Sequence, residues 1–385
     1  MPRNIATGID IGTSSIRVVV SERQKGEMTP KVLGVGIAES KGLRHGYIVN
    51  PIDAAKSIRK ALVRASKEAK REIKSTFVSV GGISLESTMA EGSTIISRAD
   101  GEITDMDLKN AISSAEEKFS NTNHQIIHTV PLKYKLDGKE IMGRPYGLKG
   151  IKLEVEVLFI SALQQHLNDL IQAVEDAGVS VEDVMASPIA ASLVTLSRQQ
   201  KTAGCLLANI GSETVSICVF ENNTPMSLQV FPFGSTDITN DIALGLKISL
   251  EDAEKAKIDR DFSMYPKKRL DEIIEARLFD IFELIDSHLK KMGRNGLLPA
   301  GIIITGGGAN IARIEDFAKA SLKLPARIGE AQHDNNSKSQ IKDTAWSVAY
   351  GLCVWGLNTE EEPLGNQLIK KTKNNLVSWF KQFLP

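Results

Sequence analysis

The sequence predicts an α/β protein built from two similar halves, and three observations support this prediction. Apolar segments of strand length alternate with amphipathic segments of helical length along the chain. The opening pattern of strand, glycine turn and strand returns after about 200 residues, which is an internal repeat of supersecondary structure. The 385 residues, 42% of them hydrophobic, are enough for two domains with sizeable cores.

Composition excludes several classes of protein. Lys+Arg and Asp+Glu both number 47, so the net charge is zero and no broad nucleic-acid-binding surface is expected. The scattered cysteines Cys205, Cys218 and Cys353 have no CxxC spacing and predict reduced thiols of a cytosolic protein. The N-terminal residues show no apolar region of a signal peptide, and no apolar run is long enough to span a membrane.

The first half begins with a predicted β-hairpin. ATGIDIG and IRVVVSE are strands joined by a Gly-Thr-Ser turn, and KVLGVGIAE is a third strand. The helix PIDAAKSIRKALVRASKEAKR, with proline in its first turn, precedes the strand STFVSVGG. Residues 83–162 form a separate mixed segment with a helix, DMDLKNAISSAEEKF, and strands HTVPLKYKLDGKEI and KLEVEVLFIS. The amphipathic helix ALQQHLNDLIQAVEDAG ends at a glycine.

The second half repeats the opening pattern. CLLANIGSETVSICVFENNTPMSLQVFPFG predicts strand, glycine turn, strand, turn and strand. RLDEIIEARLFDIFELIDSHLKKMG is a long helix, and LLPAGIIITGGGANI is a buried strand that runs into glycines. TAWSVAYGLCVWGL predicts a buried helix with small residues, and NTEEEPLGN has no apolar period and predicts a solvated linker.

The first motif is GIDIGTSSIR. Asp10 ends a buried strand, and Gly12, Thr13 and Ser14 form the turn that follows. Successive backbone N–H groups in such a turn can cradle an anion, and the hydroxyl groups add further donors. A carboxylate at the strand end can hold a hydrated Mg²⁺ that bridges phosphates. A hairpin in which glycine and serine merely suit the turn explains the same residues.

The second motif, ANIGSETVSI, repeats the first. Asn209 ends the strand, and Gly211, Ser212 and Thr214 lie in the turn. Two such turns that face each other would hold a polyphosphate from both sides. The repetition therefore favours phosphate binding over a plain hairpin.

The third motif is the glycine triplet of IIITGGGANI, Gly306, Gly307 and Gly308. Glycines let a backbone approach a nucleotide closely, and a helix that starts after them would offer its N-terminus to anions. A plain strand-to-helix turn is the alternative.

The fourth motif is SLEDAEKAK, in which Ser249 and Asp252 make a predicted N-terminal cap. Glu254 and Lys257 lie three residues apart on one helix face, from which both could reach a ribose or an adenine. A surface ion pair is the alternative.

Other signatures are missing or incomplete. The sequence contains neither GxxxxGK[ST] nor a GxGxxG turn in a βαβ unit. His124 and His128 have HxxxH spacing, but Gln125 replaces the glutamate of a zincin, and Pro131 and β-branched neighbours disfavour a helix. No metal site is expected there.

The order of these motifs resembles the actin-like ATPase superfamily of actin, sugar kinases and chaperone ATPases, over residues 1–357. In that superfamily two RNase H-like lobes enclose a nucleotide cleft. Longer stretches resemble one branch, the bacterial FtsA cell-division family: SKGLRHGYIVNPIDAAKSIRKAL, STFVSVGGISLES, MGRPYGLKGIKLEVEV and FGSTDITNDIALGLKISLEDAEKAK.

The resemblance implies a division of the chain into subdomains. The first-lobe core is 1–82 with 163–201 and 343–357, and the inserted subdomain is 83–162. The second-lobe core is 202–238 with 299–342, and its small subdomain is 239–298. A linker, 358–369, and a membrane-targeting amphipathic helix, 370–385, follow.

The resemblance also implies ATP and Mg²⁺ as ligands. The phosphate-binding residues would be Asp10, Gly12, Thr13, Ser14, Asn209, Gly211, Ser212 and Thr214, with Asp10 holding Mg²⁺ through water. The nucleoside-binding residues would be Glu254, Lys257, Gly306, Gly307 and Gly308.

Two departures from the superfamily pattern predict slow or absent hydrolysis, and at most a weak ATPase. Asn209 replaces an aspartate, and Glu213 places a carboxylate where the γ-phosphate would lie, a repulsion of roughly 1–4 kcal/mol at ~4 Å. Where the superfamily often has a Glu or Gln that orients water, this chain has Ser187 and Pro188. Nucleotide would then act as a conformational or assembly ligand.

The C-terminal residues form an amphipathic pattern that suits a membrane interface. The apolar stripe is Leu376, Trp379, Phe380 and Phe383, and the accompanying lysines are Lys370, Lys371, Lys373 and Lys381. A helix packed on the domain, or docked on a partner, would show the same pattern. The resemblance implies a membrane anchor that binds anionic lipid on the cytoplasmic face at the division septum.

Further partners are implied by the same resemblance. They are the C-terminal peptide of the ring protein FtsZ, bound at about 239–298, other copies of the chain in an actin-like polymer, and later divisome membrane proteins. A small-molecule kinase of the same fold is one alternative, but the insertion and the tail do not fit it. A PilM-like pilus-assembly interaction protein is another, although such proteins as a rule lack the basic tail.

Overall fold

The structure is a computed structural model that describes residues 4–24, 29–119, 123–259, 265–331, 341 and 343–358. The side chain of residue 259 is not described. The predicted amphipathic helix at 370–385, and the predicted linker apart from its first residue, lie outside the described residues.

The elements follow the predicted alternation of strands and helices. The strands are β1 (Ile5–Ile11), β2 (Ser15–Glu22), β3 (Lys31–Glu39), β4 (Leu43–Arg44), β5 (Tyr47–Ile48), β6 (Ser75–Val80), β7 (Glu86–Ile95), β8 (His124–Leu136), β9 (Lys139–Ile141), β10 (Lys152–Leu163), β11 (Ser180–Ala186), β12 (Cys205–Ile210), β13 (Val215–Glu221), β14 (Thr224–Phe231), β15 (Ile302–Thr305) and β16 (Ala326–Ile328). The helices are α1 (Pro51–Ala69), α2 (Asp105–Glu117), α3 (Gln164–Asp176), α4 (Ser187–Thr195), α5 (Arg198–Ala203), α6 (Ser235–Leu246), α7 (Leu250–Asp259), α8 (Lys267–Lys291), α9 (Ile314–Leu322) and α10 (Ser347–Asn358).

Two five-stranded sheets of the same topology form the centres of the two halves. The first has the order β11-β6-β1-β2-β3 and the second the order β16-β15-β12-β13-β14. In each, three antiparallel strands lead into two parallel ones. The internal repeat predicted from the sequence is therefore confirmed at the level of strand pairing.

The inserted segment forms its own sheet, with the order β7-β10-β8-β9, covered by α2. Helix α2 begins with a capping box in which Thr104 and Asp107 exchange side-chain and backbone hydrogen bonds. His124 and His128 both lie in β8, so the expected absence of a helix there is confirmed. His128 is buried and accepts a hydrogen bond of 3.0 Å from the Ala186 N–H, which ties the insertion to the first lobe.

The first lobe is completed by α10, which returns from the end of the second lobe. Small residues allow this helix to lie directly on the backbone of β1 and α4. A Cβ atom added to Gly8 would stand 2.3 Å from the Ala349 carbonyl oxygen, and one added to Gly351 would stand 1.9 Å from that of Ala190. The predicted buried helix with small residues is confirmed, although Thr344–Trp346 precede it as a 3₁₀ turn.

Candidate functional site

The two glycine turns lie at the carboxyl ends of the central strands β1 and β12, each of which pairs in parallel with one neighbour, at the edge where open α/β sheets bind ligands. Each is a tight hairpin turn that requires glycine. A Cβ atom on Gly12 would stand 2.9 Å from the Ser15 carbonyl oxygen, and one on Gly211 would stand 3.0 Å from that of Thr214. The Gly211 N–H donates to the Thr214 carbonyl over 2.8 Å, which closes the second turn.

Asp10 is held at the end of β1 by two neighbours. Ser79 of β6 donates a hydrogen bond of 2.8 Å to its carboxylate, and Arg17 occupies the opposite position in the β1–β2 strand register. Burial raises the pKa of Asp10 above its ordinary value, and the Arg17 charge and the Ser79 hydrogen bond oppose this only in part. A cation beside this carboxylate would favour its ionised form.

Arg17 is a candidate ligand-binding residue that the sequence motifs did not indicate. Its guanidinium lies 5.9 Å from the centre of the Trp346 ring, and its Nε is buried without a hydrogen-bond partner among the described residues. A buried, unpaired donor on the strand that follows the first glycine turn fits an anionic ligand such as a polyphosphate. The strand alternation could have revealed it, because Arg17 stands opposite Asp10 in the predicted hairpin.

The glycine triplet adopts a different structure from the one expected. Gly307–Asn310 form a 3₁₀ turn, and the next α-helix, α9, begins only at Ile314. A helix does start after the glycines, as expected, but the 3₁₀ turn comes before its N-terminus, whose contact with an anion stays a prediction. Gly306 has φ +88°, and its carbonyl accepts a hydrogen bond of 2.9 Å from the Thr344 hydroxyl, so this turn is fixed to the segment that leads into α10.

The second and third turns are packed against each other. A Cβ atom on Gly306 would stand 2.3 Å from Asn209 Oδ1, and one on Gly308 would stand 2.5 Å from the Ile210 side chain. Glycine is thus required here because the two turns approach each other closely, and the predicted approach of a nucleotide to this motif stays a prediction.

Glu254 and Lys257 form the ion pair that was the alternative explanation, with 2.7 Å between their charged atoms. Lys257 also donates to the Thr239 hydroxyl over 2.8 Å and to the Ser235 carbonyl over 3.1 Å. Its side chain is only 7% exposed, whereas that of Glu254 is 44% exposed. Lys257 therefore fixes α7 against α6, and Glu254 is the member of the pair that remains accessible from solvent. The predicted cap formed by Ser249 and Asp252 is confirmed.

A connection between the two lobes comes from His45 and Gly46, which the sequence analysis did not single out. The His45 N–H donates to the Glu213 carboxylate over 2.6 Å, and the Gly46 N–H donates to the Thr13 hydroxyl over 3.1 Å. The two residues join the short strands β4 and β5, to which the sequence analysis assigned no element. One turn therefore contacts both glycine turns.

Two kinds of feature are absent from the residues that the structure describes. Within these ranges, no helix is both long enough and apolar enough to cross a bilayer. The same residues contain no group of three or more His, Cys, Asp and Glu side chains arranged to hold a metal ion. Ser187 and Pro188 begin α4, as the sequence places them, and Ser187 is buried.

Comparison with solved structures identifies the class of fold. A chain of a PilM–PilN type IV pilus biogenesis complex superposes with a TM-score of 0.69 and 18% identity, covering 93% of this chain and 99% of that chain. MreB5 of Spiroplasma citri bound to ADP superposes with a TM-score of 0.50 and 11% identity, covering 90% and 94%. The chain therefore has the actin-like ATPase fold, as the resemblance in the sequence implied, with an additional subdomain in its first lobe.

Sequence comparison then identifies the family. The family model for the cell division protein FtsA matches residues 206–351, and the model for the SHS2 domain inserted in FtsA matches residues 82–161. The cell division protein FtsA of Streptococcus pneumoniae is 30% identical over 84% of this chain and 76% of its own length. That of Borreliella burgdorferi is 29% identical over 99% of this chain and 98% of its own length. The chain belongs to the FtsA family of actin-like cell division proteins.

Proposed function

We propose that the chain binds ATP with Mg²⁺ in the cleft between its two glycine turns. The observation that carries this proposal is the convergence of the two turns on His45–Gly46, with the unpaired Nε of Arg17 on the strand that follows the first turn. The phosphates would lie against the turns at Gly12 and Gly211, and the adenosine against the turn at Gly306. Asp10 would hold Mg²⁺ through water, and that ion would offset phosphate charge.

The same site supports a slow reaction at most. Asn209 stands at the end of β12 as a neutral side chain and supplies no negative charge for a metal. Ser187 and Pro188, at the start of α4, carry no carboxylate to orient water. Nucleotide would then be a ligand that stabilises one conformation, in which the chain self-assembles into an actin-like polymer.

We further propose that the chain tethers the FtsZ ring to the cytoplasmic face of the cell membrane at the septum. Residues 370–385, outside the described residues, would lie in the membrane interface with the apolar stripe of Leu376, Trp379, Phe380 and Phe383. Each lysine of that segment near an anionic leaflet would add about 1 kcal/mol. Several weak anchors on one polymer would bind together through their effective concentration.

The FtsZ C-terminal peptide would bind the small subdomain of the second lobe, at about 239–298. Apolar side chains stand exposed on three of its helices, with Leu244 at 78%, Leu250 at 59% and Phe279 at 57% exposure. Such side chains suit the apolar residues of a short peptide. The inserted subdomain, proposed as 83–162, would contact later divisome membrane proteins.

Vesicle co-sedimentation tests the anchor. The full chain and a variant that ends at Gln367 are mixed with vesicles of anionic lipid, each with and without ATP and Mg²⁺. The expected result is that only the full chain pellets and that ATP strengthens the binding. Vesicles of neutral lipid are the control for the lysines. If both chains stay in the supernatant, the segment is a packing or docking helix and the tether proposal fails.

Equilibrium binding tests the nucleotide site separately. Binding of a fluorescent ATP analogue to the full chain is compared with binding to the variant Arg17→Met. Methionine keeps an unbranched side chain at this position but removes the positive charge. Loss of one buried cation beside the phosphates predicts at least tenfold weaker binding. Equal binding by both chains would place the nucleotide elsewhere.

A further inference from the structure

The turn formed by His45 and Gly46 contacts three parts of the molecule at once. Its two backbone N–H groups donate to Glu213 of the second lobe and to Thr13 of the first. The Gly46 carbonyl accepts a hydrogen bond of 3.0 Å from His166 Nε2. His166 is the third residue of α3, which follows the inserted sheet directly.

The Glu213 carboxylate occupies the position beside the His45 N–H that an anionic ligand could take. Its carboxylate accepts from the His45 N–H over 2.6 Å, and its own carbonyl lies 3.2 Å from His45 Nδ1. His45 and Gly46 both have positive φ, +49° and +83°, as the two central residues of a tight hairpin turn do, and successive N–H groups of a turn can bind an anion. Backbone N–H groups arranged in this way bind phosphate as readily as carboxylate.

His166 connects this turn to the start of the inserted subdomain. Because its Nε2 donates to the Gly46 carbonyl, its Nδ1 accepts from the Ser84 hydroxyl, 2.8 Å away. Its ring also stacks on Tyr47 with 4.5 Å between centroids. Ser84 lies two residues after Gly82, where φ is +87° and an added Cβ would stand 3.0 Å from the His45 carbonyl oxygen.

We propose that the His45–Gly46 turn senses the terminal phosphate of a bound nucleoside triphosphate, in competition with Glu213, and passes its state through His166 to the inserted subdomain. The proposal rests on nucleotide binding in the cleft as proposed above. A terminal phosphate between the two glycine turns would repel the Glu213 carboxylate and take over the freed N–H group. The shift of the turn would change the Gly46–His166–Ser84 hydrogen bonds. A nucleoside diphosphate lacks the terminal phosphate that would displace Glu213.

Amide hydrogen exchange on the full chain tests the link. Exchange at residues 82–86 is measured without nucleotide, with ADP, and with a non-hydrolysable ATP analogue, each with Mg²⁺. The triphosphate is expected to change exchange at these residues by at least threefold relative to ADP. His166→Phe keeps a ring against Tyr47 but removes both hydrogen bonds, so it should bind triphosphate as before and lose this difference. His166→Gln, which keeps one donor and one acceptor, should restore part of it.

Binding affinities test the competition. Glu213→Gln keeps an oxygen for the His45 N–H but removes the charge, so the preference for triphosphate over diphosphate should rise roughly tenfold, since relief of ~1.4 kcal/mol of repulsion corresponds to that factor. The control is Glu72→Gln, a carboxylate 79% exposed and ion-paired with Lys74 near the start of β1. It should change nothing.

The outcomes separate the two proposals. If the full chain binds neither nucleotide, nucleotide binding in the cleft is wrong and the sensor falls with it. If both nucleotides bind but give the same exchange at residues 82–86, or if Glu213→Gln leaves the preference unchanged, the sensor is overturned and nucleotide binding stands.

Discussion

The third strand of each half, β3 or β14, is an edge strand of its sheet, and the free edges of the two strands are covered by different partners. On β3, the Val35 N–H donates to the Glu68 carboxylate over 2.9 Å, and the Ile37 carbonyl accepts from Arg64. Both partners belong to α1, the helix that follows in the chain. On β14, the N–H and the carbonyl of Leu228 both bond the hydroxyl of Ser87, at 2.8 and 2.9 Å, and Ser87 belongs to the inserted subdomain.

The difference shows which half of the repeat is structurally self-sufficient. An unpaired strand edge invites pairing with another chain, so native sheets cover it. The first lobe covers β3 with its own helix, and the inserted sheet does the same, because the side chain of Lys118, the C-cap residue of α2, donates to the Glu91 carbonyl of β7. The second lobe instead depends on a serine 141 residues away in sequence. The inserted subdomain therefore has a structural role as the cover of the second lobe.

The largest effect is expected from Gly36→Ala. The added Cβ would stand 2.0 Å from the Ala61 carbonyl oxygen, so α1 must move off the edge of β3. Overpacking against backbone should lower the free energy of unfolding by about 3 kcal/mol, measured by urea denaturation. Ile37→Ala, at an exposed neighbour in the same strand, is the control and should cost less than about 1 kcal/mol. Equal effects would show that α1 does not press on β3.

The helix caps of α1 and α2 should respond differently to pH. Burial alone would raise the pKa of Asp107, but hydrogen bonds from Thr104 and Ser97 outweigh it and lower that pKa to about 2. The folded-state pKa is depressed, so this carboxylate stabilises the fold above about pH 4 and the contribution is lost as the pH falls towards 2. The shift corresponds to about 2 kcal/mol.

The measurement is the difference in unfolding free energy between the native chain and Asp107→Asn. It should be about 2 kcal/mol at pH 6 and vanish near pH 2. Asn50, which caps α1, does not titrate, so Asn50→Ala should show a pH-independent loss of about 1 kcal/mol. A constant difference for Asp107→Asn would refute the assignment.

Removing the cover of β14 should have a smaller and more local effect. Ser87→Ala leaves both polar groups of Leu228 without their partner, which should cost about 1–2 kcal/mol. Amide exchange should accelerate at Leu228 and remain unchanged at Val35. Ser87→Thr keeps the hydroxyl and should preserve most of the protection. Acceleration throughout the second lobe would mean that the serine supports the whole sheet.

The smallest effect is expected from Glu68→Gln. The amide oxygen can still accept from the Val35 N–H, and only the charge of the acceptor is lost. A loss of about 0.5–1 kcal/mol is expected, with slightly faster exchange at Val35. A loss as large as that for Gly36→Ala would show that charge, rather than close packing, holds α1 on β3.

The strands and the repeat were predictable because alternation and glycine turns are local properties of the sequence. Both hairpins, the long helix α8 and the buried helix α10 follow directly from their patterns. Strands β4 and β5, with two residues each, are too short to show any period. The most informative turn of the candidate site was therefore missed.

The contacts of the candidate site that could not be predicted join residues that are distant in sequence. Glu213 was expected to meet a phosphate, and its position relative to a ligand stays a prediction, but its bond to His45 joins residues 168 apart. Lys257 was expected to reach a nucleoside, and that role stays a prediction, but its bonds to Thr239 and Ser235 join residues 18 and 22 apart. No local pattern encodes these contacts, because they depend on how the elements pack.

The return of α10 to the first lobe has a consequence for synthesis of the chain. Helix α10 lies on Gly8 and on Ala190, yet it starts about 150 residues after α4 ends. At ribosomal rates of roughly 5–20 residues per second, that separation lasts roughly 8–30 s. The inserted subdomain has been made before this interval and the second lobe is made during it, while one face of the first sheet lacks its cover. A nascent chain stalled before Ser347 would carry that apolar face exposed to solvent.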